Sequence, residues 1–420
     1  MRQTIVEKIL SEHSGKRVKA GDAVVANVDL CYGNDCTGQD VASAFLSLGA
    51  EALIDPARVF MVMDHAAPSP SIPAAGAHHR IRSFSSEYGS RVLDVGLGIS
   101  QQALMEAGHL TCGDLIVGAD THTTTCGALN AMAVGVSATD VSLVMASGKC
   151  WFRVPETIKV IFEGVLSKGV YAKDMALALL KETGAVLSEY KAIELEGSSV
   201  SDLSMDGRFT LSSMCAETGA KCGILKADKK TFEWIKKHSA KEPKPQDPDP
   251  DARYAEVRKI DVSALSPKIA RPHSAYDVCD IDDAIGISVD AIMIGSCANG
   301  RIEDMEVAAR VLKGKKVAKG VKLIITPASR KTYLTMVKKG LVELFIDSGA
   351  TINNPGCGPC AGKHQGVLGD GEVALSTSGV NGVGRMGSPR SDIYIASPAT
   401  AAATAIAGKI SDPREYKRKL

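Results

Sequence analysis

The residues best able to do chemistry are three cysteines in two glycine-rich turns. Cys297 lies in Gly295-Ser296-Cys297-Ala298-Asn299-Gly300-Arg301, and the other two lie in Gly356-Cys357-Gly358-Pro359-Cys360-Ala361-Gly362. A Cys-x-x-Cys brings two thiolates onto one metal site, and thiolates favour zinc, Cu(I) and iron–sulfur centres. No fourth cysteine sits in a comparable motif. A four-metal cluster held here would therefore keep one metal without a protein ligand, the open position that marks a catalytic centre. Spacing alone leaves an iron–sulfur site, a zinc site and a structural turn all open.

Acid–base candidates close other apolar runs. Asp64-His65 follows the run 58–63, and a carboxylate-oriented imidazole suits proton transfer near neutrality, although a capped surface histidine reads the same way. Asp120-Thr121-His122 follows 114–118, where the plain alternative is a cap opening an Ala/Met/Val-rich helix. Glu217, in Met214-Cys215-Ala216-Glu217, fits a solvated helix face as well as a site. Asn34-Asp35 after Gly33 is an ordinary turn sequence.

These residues share one position in a recurring grammar. A short apolar strand ends in a polar, Gly-rich loop and is followed by an Ala-rich helical stretch, at 58–65, 114–122, 290–297, 372–379 and 392–403. This is the signature of parallel sheets covered by helices, in which ligands bind at the carboxyl ends of the strands. Ser397-Pro398 supplies a helix N-cap followed by Pro at the first helical position. The segment 241–250 carries four prolines and mixed charge, and reads as an extended surface excursion near 241–252.

Composition bounds the rest. The chain has 420 residues, 45% of them hydrophobic and 23% charged, which suits a soluble α/β enzyme of two or three units. A net charge of +1 excludes nucleic-acid or membrane-surface binding resting on charge alone. The start, MRQTIVEKIL, lacks the apolar core of a secretion signal, and no apolar run reaches about 20 residues. A cytoplasmic location is expected. The eleven cysteines are then thiols or ligands rather than a disulfide framework, and those outside the two turns read as small buried hydrophobes.

Four segments together, 295–304, 354–362, 118–123 and 396–403, resemble the aconitase family, and within it the large subunits of the 3-isopropylmalate dehydratase and homoaconitase type. The similarity runs from about residue 3 to about residue 411. It implies an aconitase-like α/β fold, with three α/β/α subdomains and mainly parallel sheets around a shared cleft. Their borders are expected near 1–155, 156–283 and 284–420, the last unit carrying the cysteines. It also implies a 4Fe–4S cluster on Cys297, Cys357 and Cys360, whose fourth iron binds substrate hydroxyl and carboxylate, and hence a hydro-lyase acting on a 2- or 3-hydroxy di- or tricarboxylate. Asp64 and His65 would then protonate the leaving hydroxyl, Asp120, Thr121 and His122 would line the cluster, and Glu217 would bond the iron-bound water. Asn34, Gln101 and Arg385 would contact substrate.

The chain also departs from the family pattern. Gln101 stands where the family usually has histidine, and Ser213 where it has asparagine. Gly379 and Val380 replace an asparagine and the first of two arginines, of which only Arg385 remains. The family's catalytic serine, followed by arginine on a swivelling domain, has no counterpart, because Ser198-Ser199 leads into Val200. A separate small subunit carrying that domain and serine is therefore expected. The departures also leave open a hydratase for a smaller diacid, of dimethylmalate, maleate or citraconate type, or a non-catalytic cluster-sensing or RNA-binding relative.

Overall fold

The computed structural model describes residues 2–184 and 188–416. Its first sheet is parallel throughout, in the order Arg91–Leu93, Val59–Val62, Leu30–Asn34, Leu115–Gly118 and Met132–Gly135. The three middle strands are buried along their whole length, as helices on both faces of a parallel sheet require. A second parallel sheet runs Cys222–Leu225, Ala192–Glu196, Thr157–Glu163, Glu256–Asp261. The third has seven strands: Val278–Asp280, Lys268–Ala270, Asp392–Ile395, Val373–Ser376, Ala291–Gly295, Lys322–Thr326 and Thr351–Ile352. Only Lys268–Ala270 runs against the others, antiparallel to both of its neighbours. An antiparallel ribbon pairs Ala23–Asn27 with Lys149–Arg153. The α/β class with mainly parallel sheets is thus the architecture. No helix among the described residues is long and apolar enough to cross a membrane.

The helix Pro398–Ala407 begins as its sequence requires, with Ser397 Oγ accepting from Thr400 N at 3.4 Å. The stretch after Asp120 differs from expectation. Thr121–Leu129 forms a 3₁₀ helix, and the Ala/Met/Val run beyond it is the largely buried strand Met132–Gly135 rather than an α-helix. A run buried all round has no polar face, so its periodicity cannot separate strand from helix. Cys36 is a second difference: it is exposed, unlike the other cysteines outside the two turns. The proline-rich segment is an extended strap fastened to the first unit. Lys244 N donates to Cys112 O at 3.1 Å, and Gln246 N to Asn130 Oδ1 at 2.7 Å.

The first and third sheets meet at the carboxyl ends of their strands. Cys357 N donates to Asp64 O at 2.8 Å, and Ile99 N to Ala328 O at 2.8 Å. That junction gathers the residues singled out by the sequence.

Candidate active site

Cys297 is presented by a strained turn. Gly295 has φ 154° and Ser296 has φ 68°, a left-handed conformation unusual for a residue with a side chain. A Cβ on Gly295 would lie 2.2 Å from Thr326 O, so only glycine fits there. Buried Arg301 clamps the turn from behind: Nη2 donates to Cys297 O at 2.7 Å, Nη1 to Ala298 O at 3.1 Å and Nε to Gln102 Oε1 at 2.9 Å. Cys357 and Cys360 come from the turn opening the 3₁₀ helix Gly358–Ala361. All three thiols are free and buried, in an apolar shell with Ile99, Met293, Ala328 and Met386. The hydrogen bond with Cys357 outweighs burial and holds Cys360 well below the usual thiol value, with Arg385 adding to the effect. The same hydrogen bond, together with burial, pushes Cys357 up.

Two carboxylate–histidine pairs border this shell. His65 Nδ1 lies 2.7 Å from Asp64 Oδ1, and Asp64 Oδ2 accepts from Ser100 N at 2.7 Å and Ser100 Oγ at 2.6 Å. Burial disfavours the His65 cation, but the Asp64 carboxylate wins and His65 is held well above its ordinary value. In the second pair, His122 Nε2 lies 2.9 Å from Glu217 Oε1. Asp120 Oδ1 accepts from His122 N at 2.7 Å, while Asn34 Nδ2 donates to Asp120 Oδ2 at 3.0 Å. Burial opposes a charged His122 too, yet its interactions with Cys297 and Glu217 raise it well above normal. Gly379 packs against this pair, where a Cβ would lie 3.1 Å from both Glu217 Oε1 and His122 Nε2.

The remaining candidates are placed as follows. Gln101 is buried, and its Nε2 donates to Tyr32 Oη at 2.9 Å while Oε1 has no partner among the described residues. Ser213 Oγ and Arg385 Nε are likewise buried without partners among the described residues. Thr121 is exposed, on a groove of about 500 Å³ that it shares with Asp120. Val380 is half-buried.

Sequence reasoning missed two residues. Asp35 accepts from the backbone N–H of Asp64, His65 and Ala66 at 3.3, 2.9 and 2.7 Å, and from His78 Nε2 at 3.0 Å. Asp35, Cys36 and His65 offer donor atoms within 4.8 Å of one another, but those four hydrogen bonds already occupy the Asp35 oxygens, so the trio is not a vacant metal site. The only sequence signal for Asp35 was the Asn-Asp turn. Lys173 was also missed. It is wholly buried, and burial lowers it to about 8. Nothing in its helix marked it.

Parallel α/β units that bring three free, buried thiols together with two carboxylate–histidine pairs offer donors for a thiophilic metal beside groups suited to acid–base chemistry. The family model for aconitase (aconitate hydratase) matches residues 7–408. The 3-isopropylmalate dehydratase large subunit 1 of Methanopyrus kandleri is 46% identical, aligned over 99% of this chain and 100% of its own. The corresponding large subunits of Pyrococcus furiosus and Thermotoga maritima are 45% and 43% identical, covering 98% and 99% of this chain and 98% and 100% of theirs. The chain belongs to the aconitase family, and it is a hydro-lyase.

Membership implies an iron–sulfur cluster. The residues present fit one: the three thiols are free, and the unpartnered Gln101 Oε1, Ser213 Oγ and Arg385 Nε belong to the segments around them.

Proposed function

We propose that this chain is the cluster-bearing large subunit of a two-chain hydro-lyase for a hydroxy dicarboxylate of the isopropylmalate type, with Cys297, Cys357 and Cys360 holding a 4Fe–4S cluster. The observation that carries the reading is the meeting of three free buried thiols with two carboxylate–histidine pairs. A cluster bound there would supply a Lewis acid for the substrate hydroxyl.

The chain's own residues supply the rest. His65, kept charged by Asp64, holds a proton on its ring and gives it to the departing hydroxyl. Ser100 fixes Asp64 and so fixes the ring. His122, Glu217 and Asp120 form a second relay that holds the water released. Arg385, beside Cys360, grips a substrate carboxylate. Asn34 orients Asp120, Gln101 offers a polar contact to substrate, and Thr121, exposed on a neighbouring groove, takes no part.

Removal of the C–H proton requires a base. Ser199, the nearest sequence match to the family's serine turn, donates Oγ to Gly164 O at 2.7 Å and is tied off there. The base is assigned to a serine on the swivel domain of a small subunit, consistent with the large-subunit names of the relatives.

The test is anaerobic reconstitution with and without that partner. The loaded chain should absorb broadly near roughly 400 nm and turn over little until the small subunit is added. A protein that stays colourless and iron-free after reconstitution refutes the cluster, and full turnover by the chain alone refutes the division of labour.

A further inference from the structure

Lys173 lies in the first turn of the helix Ala172–Thr183, with its ammonium against the Thr377–Ser378 turn. Its ammonium donates to Thr377 O at 2.9 Å, to Ser378 O at 2.7 Å and to Met214 Sδ at 3.3 Å. No carboxylate oxygen is among these partners in the described residues. A fully buried cation without a contacting anion is costly, and such a group persists where something else balances it. The negative groups acting on Lys173 are, in order, Cys297, Glu217, Asp304 and Cys360. Three of those four belong to the site.

The contacts of Lys173 also reach the site mechanically. Thr377 Oγ1 accepts from Gly295 N at 2.9 Å, two residues before Cys297. Ser378 precedes Gly379, which packs against His122 and Glu217. Met214 lies three residues before Glu217, on the helix Met205–Met214. One ammonium therefore fastens the Cys297 turn, the Gly379 turn and the Glu217 segment, which come from different elements.

We propose that Lys173 is a positioning residue that locks these three segments in register and offsets the negative charge of the cluster and its thiolates. The inference rests on the cluster reading above. It does not require Lys173 to touch substrate.

The experiment uses the reconstituted two-subunit enzyme and compares wild type with Lys173→Met, Lys173→Gln and Lys173→Arg. Midpoint potential, kcat, KM and melting temperature are read on each. Loss of the cation should move the cluster potential to a more negative value in the Met and Gln variants, while Lys173→Arg keeps it near wild type. In Lys173→Met, kcat should fall by roughly 10- to 100-fold with KM nearly unchanged, because the acid–base pairs shift while Arg385 stays free. If Lys173→Met does not fold, Lys173→Gln gives the same reading. An unchanged potential in every folded charge-removing variant, or a loss seen only in melting temperature, overturns the proposal. Failure of the wild-type chain to take up a cluster would instead overturn the functional reading on which it rests.

Discussion

The Asp35 carboxylate should control whether His65 is correctly placed. It accepts three consecutive backbone N–H groups, those of Asp64, His65 and Ala66, so it fixes the loop on which the acid rides. Burial alone would raise its pKa, but the His78 hydrogen bond, the His65 charge and the loop amides lower it to about 2 from 3.8. Each tenfold change in proton affinity is worth about 1.4 kcal/mol, so the charged form is favoured by roughly 2–3 kcal/mol in the folded protein. The sign is that of a depressed carboxyl group: the contribution is complete above about pH 4 and is lost as pH falls through about 2. Asp35→Asn removes the charge and turns an NH2 toward N–H donors. Local opening of the loop should then become easier by about 2–3 kcal/mol, and amide hydrogen exchange at 64–66 faster by roughly 30- to 150-fold. Misplacement of His65 should cost on the order of 100-fold in kcat. Exchange measured by mass spectrometry on loop peptides, paired with steady-state kinetics, decides it. Wild-type exchange and wild-type kcat in Asp35→Asn would show that the loop is held by something else.

Other outcomes follow from the same geometry. Asp64→Asn removes the anion that keeps His65 charged, so the alkaline limb of the kcat/KM profile should move to lower pH; an unmoved limb assigns the acid elsewhere. Replacing Cys297, Cys357 or Cys360 with serine should abolish the iron–sulfur absorbance, while Cys126→Ser, in a buried apolar cluster separate from the thiol shell, should retain it. Val380→Arg should tighten inhibition by a tricarboxylate by about 10- to 100-fold relative to a dicarboxylate, measured as the ratio of Ki values. No change in that ratio would refute the substrate-facing position that the family pattern implies for residue 380.

What the sequence made legible was local. Strands such as Val59–Val62 and Ala291–Gly295 announce themselves as apolar runs broken by a polar or glycine residue, and the cysteine turns carry their own spacing. The run 127–134 misleads because every residue in it is buried, leaving no face to set a period. Lys173 was invisible for a different reason: its carbonyl partners lie 204 and 205 residues away, and a lysine at the start of a helix normally signals solvent. Asp35 looked like a turn residue, and it is one. The turn simply caps another loop, 29 to 31 residues further on.

The cations around the thiols bear on which substrate fits. Arg301 spends its donors on Cys297 O, Ala298 O and Gln102, and Lys173 spends its own on Thr377, Ser378 and Met214. Arg385 is the guanidinium beside Cys360 with a nitrogen still unpartnered among the described residues. One charge-assisted pair is worth about 1.5–3 kcal/mol, whereas burying one methylene gains about 0.8 kcal/mol. A carboxylate placed against Val380 would find no cation to pair with and would keep its own desolvation cost, while an alkyl arm in the same place gains the methylene burial. With residue 380 facing the substrate, as the family pattern implies, the balance would favour a hydroxy acid with one carboxylate on Arg385 and an apolar arm by Val380, over a tricarboxylate by roughly 10- to 100-fold. This is the discrimination that Val380→Arg should erase.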